Sequence, residues 1–318
     1  MMTMNIACAT DNNFAPYCGI MLTSLFENNK DHSFSVYILT RGLSEENTTK
    51  FNSLASKYHS IITMIELDNE TFKSCPIKEK DPVSIVAYYR LVLPFVLPIE
   101  IQKVLYLDVD IIVDKQIDTL YNTDVNNVAL AACIDYYLSE EILVTKIDKD
   151  KKNYFNSGVL LINLDYWRHH QIAEQCFDFI EKNPDKLLFW DQDALNAILQ
   201  NTVQFMDISY NFISDYLLAV TFEAFPEKIK QSILQSAYNP TIIHFAGKEK
   251  PWNKISDTPY KSFYLYYKRR SLWADSPQIS NYPTLRYYLG WYRRRLCAML
   301  GFMKPRFIIM SIKRERES

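Results

Sequence analysis

The sequence predicts an α/β fold with a mixed, mostly parallel central sheet, flanking helices and a helical C-terminal tail. Two observations support this. Over residues 5–67 short apolar runs alternate with amphipathic patterns in the order β-α-β-α-β, which is typical of parallel strands joined by crossover helices. Beyond about residue 251 the pattern changes to helices rich in tyrosine and arginine.

In the first half of the chain, strands are predicted at residues 5–9, 34–39, 61–67 and 103–107, and helices at residues 15–28, 44–58 and 84–93. The strand segments are short apolar runs bounded by polar residues. The second helix begins at Ser44, a residue type that caps helix N-termini. Pro94 is expected to end the third helix, because proline disfavours the α conformation in the residue before it.

In the second half, strands are predicted at residues 128–134, 159–164 and 241–245, and helices at residues 165–182 and 191–200. We divide the chain into a catalytic body, residues 1–255, and a basic, aromatic helical tail, residues 256–318. No internal repeat or low-complexity linker separates the two.

Glycine is scarce, and its spacing excludes several enzyme classes. The chain of 318 residues has six glycines, and no two lie within four residues of each other. Neither GxGxxG nor a Walker A loop can therefore be written, and GxSxG is absent as well. The net charge of −2 gives no overall field that favours nucleic acid, so no nucleic-acid partner is expected.

The six cysteines form no CxxC pair and no zinc-ligand spacing, which is typical of scattered thiols in a reducing compartment. The N-terminus has no basic region of a signal peptide, and no run approaches the ~18 apolar residues of a transmembrane helix. These patterns predict a cytoplasmic protein.

The tail carries the positive charge. Residues 286–318 hold nine Lys or Arg and two Glu, a net of +7, which leaves −9 for the rest. Its apolar residues recur at helical spacing on one face: Leu285, Leu289, Tyr292, Leu296, Met299 and Met303. Such a basic amphipathic helix binds an anionic membrane surface, here the inner face of the cytoplasmic membrane, or docks on the acidic body.

An acidic pair follows the buried strand at residues 103–107. Asp108 and Asp110 are two residues apart, so in an extended chain they point the same way, roughly 6.6–6.8 Å apart. Two carboxylates at the carboxyl end of a parallel strand suit Mg²⁺ or Mn²⁺. A solvated turn is the plain alternative. The same string also resembles the first motif of haloacid-dehalogenase-type phosphohydrolases, where the first Asp is the nucleophile, although three strands precede it here.

Other polar residues stand where elements begin or end. Asp11 and Asn13 follow the first strand, where they could bind a base and ribose or cap a helix. Arg90 lies among apolar residues and needs an anionic partner. Gly158 permits a close backbone approach beside Asn156. His244 ends a strand and precedes Gly247 and Lys250, a setting that suits a metal and a diphosphate.

Taken together, four strings resemble glycosyltransferase family 8, over roughly residues 5–252. They are KVLYLDVD, YFNSGVLLINL, WDQDALN and HFAGKEKPW, beginning at Lys103, Tyr154, Trp190 and His244. The resemblance is strongest to the bacterial lipopolysaccharide-type branch, and it implies a GT-A fold. It also implies a retaining transfer of galactose or glucose from a UDP-sugar donor to a cell-surface glycan or glycolipid acceptor.

The resemblance also implies roles for individual residues. Asp108, Asp110 and His244 would coordinate Mn²⁺, or Mg²⁺, which holds the UDP diphosphate. The remaining implied contacts are Asp11 and Asn13 to uracil and ribose beside Ala9, Phe14 to the uracil face, Gly247 and Lys250 to the phosphates, and Arg90, Asp135, Asn156, Asp191 and Gln192 around the donor hexose. Pro82 stands where a histidine near the acceptor is expected in the most similar galactosyltransferases.

Retention allows two routes. Gln192 would lie on the β face of the sugar, and because an amide is a poor nucleophile we favour same-face attack, with a diphosphate oxygen taking the acceptor proton. Asp191 as a transient nucleophile is the alternative. A scaffold that binds UDP-sugar without turnover is a non-enzymatic alternative.

Overall fold

The computed structural model describes residues 3–73, 75–76, 85–139, 153–199, 201–279, 284–309 and 311–312. Within these residues the strands are β1 Thr3–Ala9, β2 Ser33–Thr40, β3 Ile61–Glu66, β4 Lys103–Leu107, β5 Ile111–Val113, β6 Leu130–Ile134, β7 Phe155–Asn163, β8 Val203–Met206, β9 Phe212–Ile213 and β10 Ile242–His244. Seven of them form the central sheet in the order β3-β2-β1-β4-β7-β6-β8, and β5, β10 and β9 form a second, small sheet.

The central sheet is mixed and mostly parallel, as predicted. The pairs β1–β2, β2–β3, β1–β4 and β6–β8 are parallel, whereas β7 runs antiparallel to both β4 and β6. Because β7 is reversed, its first residues lie beside the carboxyl end of β4, where the Asp108 amide donates to the Gly158 carbonyl at 2.8 Å. The reversed strand therefore brings two of the predicted motifs to one edge.

The α-helices are α1 Ala15–Asn28, α2 Glu45–Lys57, α3 Leu93–Val96, α4 Asp118–Tyr121, α5 Tyr136–Ser139, α6 Leu164–His169, α7 Ile172–Lys182, α8 Trp190–Leu199, α9 Ala219–Ala224, α10 Glu227–Ala237, α11 Lys261–Arg270 and α12 Leu285–Met299. Helix α2 begins after Ser44, whose hydroxyl accepts from the Asn47 amide, as predicted for its cap.

The core lies on both faces of the central sheet, with a third cluster around the small sheet. All nine residues of β7 are buried, as expected of a strand covered on both faces. Trp273, after α11, also belongs to this core: a Cβ at Gly19 of α1 would lie 2.0 Å from its ring. Side chains of α11 join the third cluster, among them Phe263, Tyr264 and Tyr267.

Several predicted elements are wrong in type or extent. Residues 85–92 form a 3-10 helix, and Pro94 lies in the first turn of α3, a position that tolerates proline. The single helix predicted at 165–182 is two helices, because Gln171 adopts the left-handed conformation with φ of 52°. The short strands β5, β8 and β9 were not predicted, since two to four residues are too few for a periodic pattern.

Three residues named in the predictions lie outside the described residues. Ser84, the predicted start of the third helix, and Pro82 are among the residues that the structure does not describe, as is Gln200. Helix α12 ends at Met299, so Met303 lies beyond it. The division of the chain near residue 255 stays a prediction.

The apolar face of α12 is open to solvent. Leu285, Leu289, Tyr292, Leu296 and Met299 are 57–74% exposed, and Met303 is 50% exposed. Among the described residues, no helix is both long enough and apolar enough to cross a bilayer.

Candidate active site

Three side chains of metal-ligand type, called the triad below, meet at the carboxyl edge of β4. Asp108 follows β4, Asp110 precedes β5, and His244 ends β10, which pairs antiparallel with β5. One ligand atom from each lies within 4.8 Å of the others. The Nε2 atom of His244 is 3.3 Å from Asp110 Oδ1 and 3.9 Å from Asp108 Oδ2. Two carboxylates and an imidazole suit a divalent cation such as Mn²⁺ or Mg²⁺.

Asn211 fixes the orientation of His244. His244 is 2% exposed, and its Nδ1 lies 2.8 Å from Asn211 Oδ1. The Asn211 amide nitrogen donates to Asn156 Oδ1 at 2.9 Å, so Oδ1 is the atom that accepts the Nδ1 proton. The lone pair of Nε2 then faces the two carboxylates, as in a metal-ligating histidine held by an outer partner. Sequence reasoning missed Asn211, because nothing marks an asparagine before a two-residue strand.

Replacing Asn211 with alanine should lower the affinity for Mn²⁺ by about 10–100-fold, since the imidazole loses its orienting partner. Titration calorimetry of the free protein with Mn²⁺ measures this directly. Asn52→Ala, at an exposed position in α2, is the matched control and should bind as the unchanged protein does. Equal Mn²⁺ affinities for the two variants would contradict the role of Asn211.

Gly158 gives the triad its space. A Cβ built at this residue would lie 2.3 Å from Cε1 of His244 and 2.9 Å from Oδ2 of Asp108. No side chain fits between β7 and these ligands, so the close approach expected from the sequence is present at this position.

Arg90 joins two of the predicted acidic residues. It is 4% exposed, its Nη2 donates to Asp108 Oδ1 at 2.9 Å, and its Nε lies 3.0 Å from Asp191 Oδ2. Its Nη1 also donates to the Ser157 carbonyl, and the guanidinium lies over the Tyr106 ring at 4.4 Å. Burial alone would lower the pKa of Arg90, but the two carboxylates raise it well above its usual value, so the cation persists.

Asp191 and Gln192 differ in whether a side-chain oxygen is available to accept a hydrogen bond from a ligand. Asp191 is 3% exposed, and burial raises its pKa to about 6 although Arg90 opposes that shift. The Arg90 Nε–H points to the Ala87 carbonyl, and Oδ2 of Asp191 has no hydrogen-bond donor among the described residues. Such a buried oxygen can accept a ligand hydroxyl. Oε1 of Gln192, in contrast, already accepts the Ser157 amide at 2.9 Å.

The turn before these two residues is strained and braced. Trp190, the first residue of α8, has φ of 46°, a rare conformation for an aromatic residue. Asp193 is fully buried, and its Oδ2 accepts the amides of Leu188 and Phe189, each at 2.6 Å, while its Oδ1 accepts the Tyr154 hydroxyl. An acidic residue in the first helical turn predicts only a cap, so this bracing role was missed.

Asp135 and Asn156 extend the polar network behind the triad. Asp135 is 5% exposed, and burial raises its pKa to about 6 although Asn156 and backbone amides stabilise the carboxylate. The Asn156 amide nitrogen is 3.4 Å from Asp135 Oδ2, and Asn156 Oδ1 accepts the Gly158 amide at 3.0 Å. Hydrogen bonds therefore run from Asp135 through Asn156 and Asn211 to His244.

Lys250 and Gly247 lie on the loop after β10. The ammonium of Lys250 donates to Asp110 Oδ2 at 2.7 Å. Although burial favours the neutral acid, Lys250 and then His244 hold the pKa of Asp110 well below its usual range. Gly247 packs against Asp215, whose Oδ2 would lie 1.7 Å from a Cβ at Gly247. Asp215 was not predicted, and no sequence signal marks it.

Burial raises the pKa of Asp215 to about 6, with Lys250 opposing the shift. The folded state therefore binds this proton more tightly than the unfolded state, and stability falls as pH rises from about 4 to about 6. Above pH 6 we expect the free energy of unfolding of Asp215→Asn to exceed that of the unchanged protein by about 2–3 kcal/mol. This difference should shrink as the pH falls towards 4. Denaturant unfolding at several pH values measures it. The exposed variant Asp185→Asn should show a difference independent of pH, and a pH-independent gap for Asp215→Asn would contradict the assignment.

The residues predicted to contact the base lie at the end of β1. Ala9 is buried in β1, Asn13 is exposed, and Oδ1 of Asp11 accepts the Phe14 amide at 2.9 Å, the helix-capping alternative. Phe14 is 42% exposed and meets the edge of Tyr17 at 5.3 Å.

An aromatic row connects this end of the sheet to the loop after β10 that carries Lys250. Tyr17 stacks on Trp252 at 4.0 Å, and the Lys250 ammonium lies 5.7 Å from the Trp252 ring. Phe14 and Lys250 therefore lie at opposite ends of one row of contacting rings, in which Tyr17 and Trp252 are buried.

Known proteins are similar to this chain in sequence and fold. The sequence model of glycosyl transferase family 8 matches residues 5–256. General stress protein A of Bacillus subtilis is 29% identical over 280 residues, 85% of this chain and 94% of that protein. A lipopolysaccharide 1,2-glucosyltransferase of Escherichia coli is 29% identical over 280 residues, 86% of this chain and 80% of that protein.

A solved structure agrees with these sequence relatives. The galactosyltransferase LgtC, in complex with donor and acceptor sugar analogs, superposes with a TM-score of 0.74 at 25% identity, over 91% of this chain and 100% of that one. The resemblance seen in the sequence motifs and the expected GT-A fold are both confirmed. The chain is a glycosyltransferase, and it belongs to glycosyltransferase family 8.

Proposed function

We propose that this protein is a retaining hexosyltransferase that depends on Mn²⁺, or on Mg²⁺ in its place, and uses a UDP-sugar donor. The observation that carries the proposal is the meeting of Asp108, Asp110 and His244 in a family 8 chain, with Lys250 on the same loop as Gly247. The donor sugar is galactose or glucose, and the acceptor is a glycan or glycolipid of the cell surface.

The donor set fits a divalent cation. The ligand atoms converge, Gly158 leaves them room, and Asn211 aims the Nε2 lone pair of His244 at the carboxylates. Asp108, Asp110 and His244 would hold the Mn²⁺ ion, which would supply Lewis-acid charge against the leaving diphosphate. Lys250, which donates to Asp110 in this structure, adds positive charge on the same side and would bind the phosphates together with the backbone at Gly247.

The rest of the donor follows the sheet edge. Asp11 and Asn13 bind uracil and ribose beside Ala9, and the half-exposed Phe14 ring stacks on the base. Around the hexose stand Arg90, Asp135, Asn156, Asp191 and Gln192. Oδ2 of Asp191, which is ion-paired with Arg90 but accepts no hydrogen bond among the described residues, is the group best placed to accept a sugar hydroxyl. Arg90 binds both Asp191 and Asp108 and fixes their relative position.

Retention is achieved by same-face attack. The bond between the anomeric carbon and the diphosphate oxygen breaks, the acceptor oxygen bonds to the same face, and a diphosphate oxygen takes the acceptor proton. Gln192 supports this route because its Oε1 is bound to the Ser157 amide, so the side chain is a fixed dipole on the opposite face. Asp191 as a transient nucleophile is the alternative, and mass spectrometry of a trapped glycosyl–aspartate would establish it.

Release of UDP from a panel of UDP-sugars, with Mn²⁺ and with EDTA, tests the proposal. We expect release from one UDP-hexose, dependent on Mn²⁺ and accelerated by the acceptor. Galactose and glucose differ at one hydroxyl, so one contact can decide between them. Comparing UDP release from UDP-galactose and UDP-glucose identifies the donor. If no sugar releases UDP and calorimetry finds no Mn²⁺-dependent binding of UDP, the proposal fails.

Neither alternative from the sequence is supported. A phosphohydrolase would need Asp108 as a free nucleophile, whereas Arg90 binds one of its oxygens and the chain belongs to a transferase family. A scaffold without turnover is not supported, because the chain belongs to a family of glycosyltransferases. The proposal therefore keeps the transferase alone.

We further propose that α12 attaches the protein to the inner face of the cytoplasmic membrane, where a glycolipid acceptor would be available. Its apolar residues are exposed, and Arg293 and Arg294 flank them. Lipid chains would cover the apolar residues, and anionic headgroups would bind the two arginines.

The exposed leucines of α12 test this attachment. Leu289→Gln combined with Leu296→Gln should weaken binding to vesicles with anionic lipid by about 10²-fold, since each leucine contributes about 1.5 kcal/mol on burial. Leu234→Gln, 37% exposed on α10, is the control and should bind normally. Co-sedimentation measures the affinities. Unchanged vesicle binding by the double variant would overturn the attachment.

A further inference from the structure

A small polar cavity lies between α12 and the segment 256–262, which leads into α11, and none of its lining residues belongs to the active site described above. It has a volume of about 90 Å³, room for several water molecules. Helix α12 contacts that segment there, where Trp291 Nε1 donates to Asp257 Oδ1 at 2.8 Å. The polar residues that line the cavity are Ser256, Asp257, Thr258, Lys261, Ser262, Arg295 and Ser311.

Thr258 in this cavity lacks a partner. Its side chain is 4% exposed, and its hydroxyl has no hydrogen-bond partner among the described residues. An unpaired buried hydroxyl costs about 1–3 kcal/mol, so such groups are rare unless a ligand satisfies them. Ser256 Oγ accepts the Thr258 amide at 3.5 Å, which leaves the Ser256 proton free to donate into the same space.

The cavity is also positively charged. It lies at the N-terminus of α11, a helix of 10 residues without a side-chain cap, and such an end attracts anions. Lys261 is fixed there by hydrogen bonds to the carbonyls of Asn253 and Lys254, each at 2.9 Å. Arg295 lies 5.3 Å from the Trp291 ring and forms no ion pair among the described residues.

The two cations face each other with little compensation. Burial and then the charge of Arg295 lower the pKa of Lys261, although Asp257 and Glu249 oppose the shift. The Asp257 carboxylate, which also lines the cavity, already accepts the Trp291 N–H. A second negative charge between Lys261 and Arg295 would therefore relieve their repulsion.

We propose that this cavity binds a phosphate group, with the hydroxyls of Ser256 and Thr258 and the guanidinium of Arg295 as its donors. Oxygen acceptors carried by one compact anion match these donors, and Arg295 can bind two of the oxygens. The phosphate belongs to the headgroup of an anionic phospholipid under α12, or to a soluble phosphate. This site does not depend on the transferase activity proposed above.

Thermal unfolding in sodium phosphate, against sodium chloride of equal ionic strength, tests the site. Phosphate should raise the unfolding temperature of the unchanged protein. Thr258→Val and Arg295→Gln should each weaken the apparent phosphate affinity about tenfold, since a hydrogen bond to a charged group is lost. Thr258→Val keeps the shape and, without phosphate, should be as stable as the unchanged protein or more so, because an unpaired hydroxyl is removed.

Arg294→Gln, one residue away and outside the cavity, is the matched control and should keep the response. Phosphate that binds at the active site affects all variants alike and cancels in the comparison. An equal response of Thr258→Val, Arg295→Gln and the unchanged protein would overturn the proposal, as would the absence of any response to phosphate and to lipid.

Vesicles distinguish the two sources of phosphate. Thr258→Val has the same charge as the unchanged protein, so a weaker affinity for phosphatidylglycerol vesicles would assign the site to a lipid headgroup. Equal vesicle affinity together with a lost response to phosphate would assign it to a soluble phosphate. Both results support a phosphate site, and both are independent of UDP release.

Discussion

Asp110→Asn is expected to reduce Mn²⁺-dependent release of UDP by about 10³-fold or more, because it removes a charged metal ligand where the leaving diphosphate must be neutralised. Asp110 is held as an anion by Lys250 and His244, so at neutral pH the wild-type residue carries its full charge. The asparagine keeps the size and one hydrogen-bond acceptor, and Lys250 can still donate to it. The loss is therefore one of charge, not of packing.

UDP release and calorimetric binding of UDP, each with Mn²⁺ and with EDTA, measure this effect. Asp31→Asn, an exposed carboxylate between α1 and β2, is the control and should leave both quantities unchanged. Retained Mn²⁺-dependent binding in Asp110→Asn would show that the triad is not the metal site. The unfolding temperature of Asp110→Asn in EDTA, compared with that of the unchanged protein, shows whether the variant is folded.

The strand ends that carry this site could be predicted, because each bears a local signal. An apolar strand that stops on Asp108, and a strand that stops on His244, are visible without any knowledge of their neighbours. That the two meet depends on the small sheet, whose strands β5 and β9 are too short to show a pattern. The meeting was predicted only through the family resemblance.

The residues that orient the site could not be predicted, because their roles arise from long-range contacts. Asn211 reaches His244 across 33 positions, and Tyr154 reaches Asp193 across 39. Asn211 and Tyr154 are ordinary polar residues in sequence, and only the packing removes them from water and determines their hydrogen-bond partners. The antiparallel direction of β7 could not be predicted either, since a strand buried on both faces shows the same apolar pattern in either direction.

Gly158→Ala should be as damaging as the loss of a ligand, although it adds a single methyl group. The new Cβ would lie within 2.9 Å of both His244 and Asp108, and neither side can yield, since His244 is bound to Asn211 and Asp108 to Arg90. The ligands must then shift by a large part of an ångström, and a displacement of about 1 Å at a catalytic centre costs roughly 10²-fold in rate. We expect at least that loss in UDP release, together with weaker Mn²⁺ binding.

Gly290→Ala separates this effect from a general cost of replacing glycine. Gly290 lies in α12, and among the described residues no atom beyond the helix's own backbone lies within 4 Å of the position that a methyl group would take there. Alanine should therefore stabilise the helix by about 0.5–1 kcal/mol and leave activity unchanged. Gly158→Ala can also strain β7, so the Mn²⁺-induced rise in unfolding temperature is the deciding measurement: it should vanish for Gly158→Ala even where the protein is folded in EDTA. A folded Gly158→Ala variant with normal Mn²⁺ affinity would mean that the ligands do not need the space that glycine leaves, and that the metal lies elsewhere on the sheet edge.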